Sequence, residues 1–299
     1  MFESLFAKGR LSLERIRTLV EVARAGSISK AAPGDVTRQS QYSRQLKELE
    51  EFFGTELATR QGRRLELNAE GRRLAEMGHE MLMQLQDFKA VRLALPVQVT
   101  IGAYESLIHW RLAGRIGEFQ KEAKKVECRL TARTTNEIIS GLTDLSLDFG
   151  VVRQSAIRPP MKSQPLFRTD YALFVPRERV PTAHMNDALW ILKNVPLALH
   201  ESAGDFKQAL ERGTKTTELH VQLRCETAVQ SSRAVLSGNY CSILPAIAVV
   251  EFDEKKYLRL EAPMPKEYER KICLAWNPRL LELREGFRQL KDRLGNCLR

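Results

Sequence analysis

Residues 38–47 carry polar side chains whose hydrogen-bonding groups could read the edges of DNA bases. The run contains no acidic residue, whereas three glutamates follow it within residues 48–51. Arginine can recognise guanine and glutamine can recognise adenine through paired hydrogen bonds in the major groove. Taken alone, the run also fits a solvated polar helix surface. The candidate DNA-reading residues are Arg38, Gln39, Ser40, Gln41, Ser43, Arg44 and Lys47.

These residues are expected on the N-terminal half of a helix that runs from Arg38 to about Phe53. Thr37 is a suitable N-cap and Gly54 a suitable end. A recognition helix places its N-terminal residues in the major groove. The apolar stripe of this helix is Leu46, Leu49, Phe52 and Phe53.

Another helix is predicted earlier in the chain. Apolar residues recur at helical spacing from Leu13 to Arg24, with Ser12 as N-cap and Gly26 as the end. Any short helix that follows is broken by Pro33-Gly34, since proline removes a backbone N–H group and glycine adds backbone entropy.

Residues 57–67 are predicted to form a β-hairpin. Two short extended stretches flank a turn that contains Gly62, with Arg60, Arg63 and Arg64 at the tip. Such a wing would set its cations against DNA phosphates or in the minor groove.

A long helix is predicted from Asn68, a good N-cap, to about Ala94. Its apolar residues are spaced by three and four, which favours packing against a copy of the same helix in a dimer. Packing against the C-terminal part of the same chain is the alternative. The residues of this stripe are Leu74, Met77, Met81, Leu85, Phe88, Val91 and Leu95.

The N-terminal residues resemble the winged helix-turn-helix of LysR-type transcriptional regulators. The spacing from Ala31-Ala32 to Ser43-Arg44 runs without a gap. The matching positions are Leu13–Ala25, Gly26, Ser27, Ala31, Ala32, Gln39, Ser43, Arg44, Gln45, Leu46, Leu49, Glu50, Gly54, Leu57, Arg60, Leu67 and Gly71.

The chain departs from the family pattern after the paired alanines. Pro33-Gly34-Asp35 replaces the usual continuation of the helix, and Asp35 stands where the family has a core leucine. Ser40, Ala58 and Asn68 replace a frequent proline, phenylalanine and threonine. The altered turn bears on the docking angle and therefore on the operator sequence.

From Pro96 onward, β-rich runs alternate with amphipathic helical stretches, which is typical of an α/β domain. Strands are predicted at residues 97–102, 126–131 and 145–153, with a helix ending at Leu142. Residues 145–153 and 238–245 resemble LysR-family segments. The resemblance implies a two-lobed, periplasmic-binding-protein-like effector domain, with crossing strands near residues 167–176 and 258–271.

The expected fold class is thus α+α/β: a winged helix-turn-helix at residues 1–67, a linker and dimerisation helix at 68–95 and an effector domain at 96–299. Lobe one is expected at about 96–165 and 268–299, and lobe two at about 166–267.

Ligands in such clefts bind where strands give way to helix N-termini, whose N–H groups attract anions. Ordinary helix capping is the alternative role for each serine or threonine. The neighbouring Glu105 and Glu201 leave the charge of the ligand open. The candidate effector-binding residues are Tyr104, Ser106, Thr134, Thr135, His200, Ser202 and Thr227.

We expect no catalytic site, no metal site and no cofactor. The chain has no G-x-S-x-G, H-E-x-x-H or P-loop motif, and its five histidines are scattered. Its five cysteines lie far apart without a C-x-x-C pair. A redox role for Cys225 and Cys241 is disfavoured, because thiols in strands are usually buried and inert.

The formal net charge of +10 favours anionic partners, but the first 95 residues contribute only +3 of it. The chain has no apolar run long enough to span a membrane, which favours a cytoplasmic protein.

We hypothesise that the protein is a transcriptional regulator. It would bind double-stranded DNA as a homodimer or homotetramer and be modulated by a small-molecule effector. The alternatives are a ligand receptor or enzyme with an N-terminal assembly module, and a nonspecific architectural DNA binder.

Overall fold

The computed structural model describes residues 3–6, 11–61, 64–200, 205–214, 218–265 and 270–299. It divides into two compact units. The first contains residues 1–97, 144–146 and 279–285, and the second contains 98–143, 147–278 and 286–299.

The helices of the first unit precede and follow a short hairpin. They are α1 (Glu3–Phe6), α2 (Leu13–Ala25), α3 (Ile28–Ala31), α4 (Val36–Phe53) and α5 (Ala69–Arg92), with α12 (Pro278–Leu283) joining them from the C-terminal part of the chain. The hairpin consists of β1 (Ala58–Gln61) and β2 (Arg64–Leu67), which pair antiparallel.

The three-helix core of this unit forms because α2 and α4 each bury one apolar stripe. Ser12 Oγ accepts a hydrogen bond from the Arg15 N–H, and Gly26 ends α2 with a φ of 82°, as the sequence predicts. The buried residues come from α2, α3, α4 and the hairpin, so the wing is part of the same core. They include Ile16, Leu19, Val22, Ile28, Tyr42, Leu46, Leu49, Leu57 and Leu67.

Helix α5 is fixed to this core at its N-terminal end. Asn68 Oδ1 accepts from the Gly71 N–H at 2.9 Å, which confirms Asn68 as the N-cap. The backbone of Gly71 lies so close to Leu57 that a Cβ atom there would be 2.0 Å from the Leu57 carbonyl oxygen. At Gly78, a Cβ atom would be 2.5 Å from Ile16 Cγ2. Both glycines therefore permit a close approach that a larger residue would prevent.

Two ion pairs hold residues 279–285 against α5. Arg284, which is 6% exposed, donates two hydrogen bonds of 2.5 Å to the carboxylate of Asp87. Arg279 pairs with Glu80 at 2.8 Å.

Beyond Leu74, which packs in the N-terminal core, the apolar stripe predicted for α5 is exposed. The stripe that remains uncovered within one chain consists of Met77, Met81, Leu85, Phe88 and Val91, whose side chains are 40–69% exposed.

The second unit contains two α/β subdomains. The first has a sheet of order β4-β3-β5-β12-β6, in which β3 and β5 run parallel and β12 is antiparallel to both of its neighbours. Its strands are β3 (Val97–Ala103), β4 (Val126–Ala132), β5 (Phe149–Arg153), β6 (Lys162–Thr169) and β12 (Arg270–Trp276). Its helices are α6 (Glu105–Leu107), α7 (Ala113–Glu122), α8 (Thr135–Thr143) and α13 (Phe287–Cys297).

The other subdomain has one sheet of order β10-β7-β11 and a parallel pair, β8 with β9, which a bridge between Leu197 and Cys241 connects to the segment before β10. Its strands are β7 (Tyr171–Pro176), β8 (Leu197–His200), β9 (Val221–Cys225), β10 (Ser242–Pro245) and β11 (Tyr257–Glu261). Its helices are α9 (Ala188–Asn194), α10 (Asp205–Thr214) and α11 (Ala228–Leu236).

The strand predicted at residues 145–153 begins later than expected, at Phe149. Leu145 adopts a left-handed backbone conformation with a φ of 58°, which breaks an extended run. Each segment expected to cross between the subdomains is two strands: β6 and β7 flank Asp170, and β11 and β12 are separate.

We predict that Gly71→Ala destabilises the protein by about 1–3 kcal/mol, because the added methyl group must displace the Leu57 backbone. Gly114→Ala is the matched control, since Gly114 lies in α7, a Cβ atom there would have no neighbour within 4 Å, and alanine is the better helix former. Urea unfolding of both variants measures the difference, and equal stabilities would contradict the packing described for α5.

Candidate nucleic-acid interface

The N-terminus of α4 is set by Asp35. Its carboxylate accepts a hydrogen bond from the Arg38 N–H at 2.9 Å, and the helix begins at Val36. The prediction of Thr37 as the N-cap, with a helix from Arg38, was therefore wrong by two residues. Gly34, with a φ of 75°, turns the chain so that Asp35 arrives in the extended conformation that a capping residue needs.

Four of the candidate DNA-reading residues form one exposed face of α4, which we call the outer face: Ser40, Ser43, Arg44 and Lys47. They lie opposite the buried side chains of Leu46 and Leu49, as a turn of about 100° per residue requires. The Arg44 side chain is 75% exposed, and its Nε lies 3.8 Å from a Glu48 carboxylate oxygen. Glu48 also pairs with Arg15 on α2 at 2.5 Å.

Gln39 points away from the outer face. Its side-chain Nε2 donates a hydrogen bond of 2.7 Å to the carbonyl oxygen of Ala32. Because Ala32 is the C-cap of α3, this bond ties the end of α3 to the first turn of α4. In this arrangement Gln39 stabilises the turn between α3 and α4.

Arg38 lies on the side of α4 that faces α2. Its Nε donates to the Tyr42 hydroxyl at 2.8 Å, and the Tyr42 hydroxyl donates to Glu21. A terminal nitrogen of Arg38 lies 3.6 Å from the same Glu21 carboxylate. The hydrogen bond that Arg38 donates to Tyr42 raises the pKa of Arg38 above its ordinary value, and burial raises the pKa of Tyr42. The sequence did not reveal this cluster, because Glu21 is on another helix.

A polar pocket of about 310 Å³ lies between α2 and the first turns of α4. Arginine, threonine and glutamine side chains supply donors to it, and two acidic side chains also line it. Its lining residues are Glu14, Arg17, Thr18, Asp35, Thr37, Arg38, Gln41 and Tyr42.

The predicted wing is a two-stranded hairpin in which Arg60 pairs with Leu65 and Gln61 with Arg64. The side chains of Arg60 and Arg64 and the whole of Arg63 lie outside the described residues. Their assignment to DNA binding stays a prediction.

In the first α/β subdomain, three candidate effector-binding residues lie together where β3 and β4 end. Thr135 Oγ1 donates to the Tyr104 hydroxyl at 3.2 Å. The Thr134 hydroxyl and N–H both donate to Glu137 at 2.8 Å, and these bonds lower the pKa of that carboxyl. Ser106 lies half-buried in the first turn that follows.

In the other subdomain, His200 and Thr227 lie at the carboxyl ends of the paired strands β8 and β9. Thr227 caps α11 in a reciprocal arrangement with Gln230, which is the ordinary structural role of such a residue. Ser202 lies outside the described residues. Each of the two groups of candidate residues thus lies at the strand ends of its own subdomain.

His200 is 3% exposed, and its Nδ1 has no hydrogen-bond partner among the described residues. Its ring stacks on Tyr171 with 6.3 Å between centroids and packs against Phe206 at 4.4 Å. Burial, with a smaller effect of Arg270, lowers the pKa of His200 to about 4. The imidazole is therefore neutral at neutral pH.

An acidic residue that the sequence analysis missed connects the two subdomains. Glu251 accepts a hydrogen bond from the Ser232 hydroxyl at 2.7 Å and lies 2.7 Å from His109 Nε2. Burial opposes its ionisation, but the hydrogen bonds from Ser232 and His109 lower its pKa overall.

Cys225 and Cys241 are free, buried thiols. Burial raises the pKa of Cys241 to about 12, so it is protonated at neutral pH and is a poor nucleophile. Across the residues that the structure describes, no group of three or more histidine, cysteine or acidic side chains is arranged to hold a metal ion. None of the described helices is both long and apolar enough to cross a membrane.

Two family models match the chain. "LysR substrate binding domain" matches residues 97–295, and "Bacterial regulatory helix-turn-helix protein, lysR family" matches residues 13–72. The HTH-type transcriptional regulator TdcA of Escherichia coli is 23% identical over 252 residues, which cover 80% of this chain and 79% of TdcA.

Solved structures share the fold at low identity. The LysR family transcriptional regulator CbnR superposes with a TM-score of 0.60 at 17% identity, covering 97% of this chain and all of CbnR. A full-length OxyR variant from Pseudomonas aeruginosa gives a TM-score of 0.62 at 19% identity, covering 96% of this chain and 97% of OxyR.

We predict that Asp35→Ala lowers the free energy of unfolding by about 0.5–2 kcal/mol, because the Arg38 N–H loses its side-chain acceptor. Asp35→Asn keeps an acceptor in the same place and is expected to retain most of the stability. Chemical unfolding of the two variants tests the cap, and a fully stable Asp35→Ala protein would exclude it.

A second prediction concerns pH. The folded chain holds His200 neutral down to about pH 4, whereas an unfolded histidine takes up a proton near pH 6.5. The free energy of unfolding therefore falls as the pH is lowered through this window, by on the order of 3 kcal/mol from this residue. His200→Phe keeps the ring packing and should lose less thermal stability between pH 7 and pH 4.5. A variant that loses as much as the unmodified protein would rule out a buried neutral His200.

Proposed function

Because the chain belongs to the LysR family of bacterial helix-turn-helix regulators, we propose that it is a cytoplasmic, sequence-specific regulator and not an enzyme. In this proposal a homo-oligomer binds a pseudo-palindromic operator, and a small molecule in the C-terminal domain changes the placement of the DNA-binding units. Residues 1–67 bind DNA, 68–95 link and dimerise, and 96–299 bind the effector.

The observation that carries the proposal is the outer face of α4. Its two cations are exposed, and its hydroxyls can donate to and accept from base edges. The nearest glutamate, Glu48, is half-buried and paired with Arg15. This surface suits a polyanion and offers the hydrogen-bonding groups needed to distinguish its bases.

The internal bonds of Gln39 and Arg38 divide the candidate DNA-binding residues by role. Gln39 is assigned to holding the turn. Arg38, 52% exposed and held by Tyr42 and Glu21, is assigned with Gln41 to a flanking phosphate at the rim of the pocket. Ser40, Ser43, Arg44 and Lys47 are assigned to the major groove.

The exposed apolar stripe of α5 supports a homo-oligomer. Met77, Met81, Leu85, Phe88 and Val91 recur at the spacing of a helix pair, and a single chain leaves them exposed. The partner that matches this stripe is a second copy of α5. A monomer in sedimentation experiments at micromolar concentration would contradict this part of the proposal.

The effector is assigned to the cleft of the C-terminal domain. The Tyr104, Thr134 and Thr135 group offers hydroxyls from one subdomain, and the buried neutral His200 offers an imidazole from the other. The contacts of Glu251 with His109 and Ser232 would then restrain movement between the subdomains. A thermal-shift screen of small metabolites, compared with a Tyr104→Phe, Thr135→Val variant, identifies the ligand.

We predict that Arg44→Ala weakens binding to the selected operator at least about fivefold, because a paired arginine–base contact contributes about 1–3 kcal/mol. Fluorescence anisotropy at several salt concentrations measures the effect. A drop of about one in the salt slope for each bound copy of Arg44 indicates a phosphate contact, and an unchanged slope indicates a base contact.

Arg288→Ala is the control, because Arg288 is an exposed arginine on α13, outside the DNA-binding unit. An Arg44→Ala protein that binds the operator as tightly as the Arg288→Ala protein would refute the role of the outer face.

A further inference from the structure

Val36 is the most exposed large apolar side chain among the described residues, at 74%. It is the first residue of α4 and takes no part in the core that α2, α3 and α4 form. A single exposed valine needs no explanation in itself. The position of Val36 on α4, however, suggests a reason for its exposure.

Val36 extends the outer face of α4 by one turn. Ser40 follows it by four residues, Ser43 by seven and Lys47 by eleven, which is the spacing of one helical stripe. The stripe exists in this length because Asp35 caps the helix. With a cap at Thr37, Val36 would precede the helix and would not be aligned with Ser40.

The N-terminal residues of a recognition helix are those that reach base edges in the major groove. Valine has no hydrogen-bond donor or acceptor in its side chain. Thymine presents the apolar group of the major groove, its C5 methyl, which aliphatic side chains contact. The cations Arg44 and Lys47 on the same stripe favour an approach of this face to DNA.

We propose that Val36 contacts a thymine methyl group in each half of the operator and thereby contributes to sequence selection. This assignment rests on the proposed function. The pattern of charged and hydrogen-bonding residues in the sequence does not single out Val36, because its side chain carries neither feature.

Replacing thymine by uracil removes the methyl group and leaves the base pairing intact. Each thymine of the selected operator is replaced in turn by uracil, and binding of the unmodified protein is measured. We expect one symmetric pair of thymines at which uracil weakens this binding about fourfold per methyl group. In the Val36→Ala protein, uracil at that pair should have little further effect, while uracil at other positions acts as before.

Val250→Ala is the matched control, since Val250 is a 70% exposed valine in the C-terminal unit. Thermal unfolding checks that Val36→Ala is folded, as expected for an exposed residue replaced by a better helix former. Equal uracil sensitivity of the unmodified and Val36→Ala proteins at every thymine would overturn the assignment. A folded, unmodified protein without any operator preference would instead refute the proposed function.

Discussion

The Asp35 carboxylate determines where the recognition helix begins, and the length of the surface that the helix presents depends on this start. An α-helix turns by about 100° per residue, so a start at Val36, two residues before the predicted start at Arg38, adds about half a turn to the surface that the helix presents. Pro33 and Gly34 make the early start possible. Proline ends the preceding helix, and Gly34 adopts the left-handed conformation that delivers Asp35 to the capping position. The segment Pro33-Gly34-Asp35 therefore sets the start of α4, while α2 and α4 still pack together.

Once the helix has begun, its polar residues separate into two groups. Those on the inner side bond to the rest of the motif: Gln39 to Ala32, and Arg38 to Tyr42 beside Glu21. Those on the outer face are exposed. The inner bonds hold the angle between α2 and α4, and the angle decides how the outer face meets a partner. A residue such as Arg38 can thus affect DNA binding through position as well as through contact.

Much of the architecture could be predicted from the sequence, because it depends on local signals. Helix α2, the hairpin and the long α5 follow from caps, glycines and apolar spacing, and β3, β4 and α8 follow from alternation of residue types. The start of α4 was mispredicted because Thr37 and Asp35 are both good caps, and only the three-dimensional turn chooses between them. The left-handed Leu145 could not be foreseen, since leucine rarely adopts that conformation. Partners such as Glu21 for Arg38, or Glu251 for His109, lie far away in sequence and are brought close only by packing.

Sequence selection by the outer face of α4 is the property on which the proposed function depends most directly. Purified protein can be used to select genomic DNA fragments at near-physiological salt, and the retained fragments can be sequenced. We expect a small number of intergenic fragments that share an interrupted palindrome with thymine at a fixed position in each half. Uniform retention would indicate a nonspecific architectural binder, and no retention would indicate a ligand receptor or enzyme whose N-terminal helices serve assembly. Either result would contradict the account.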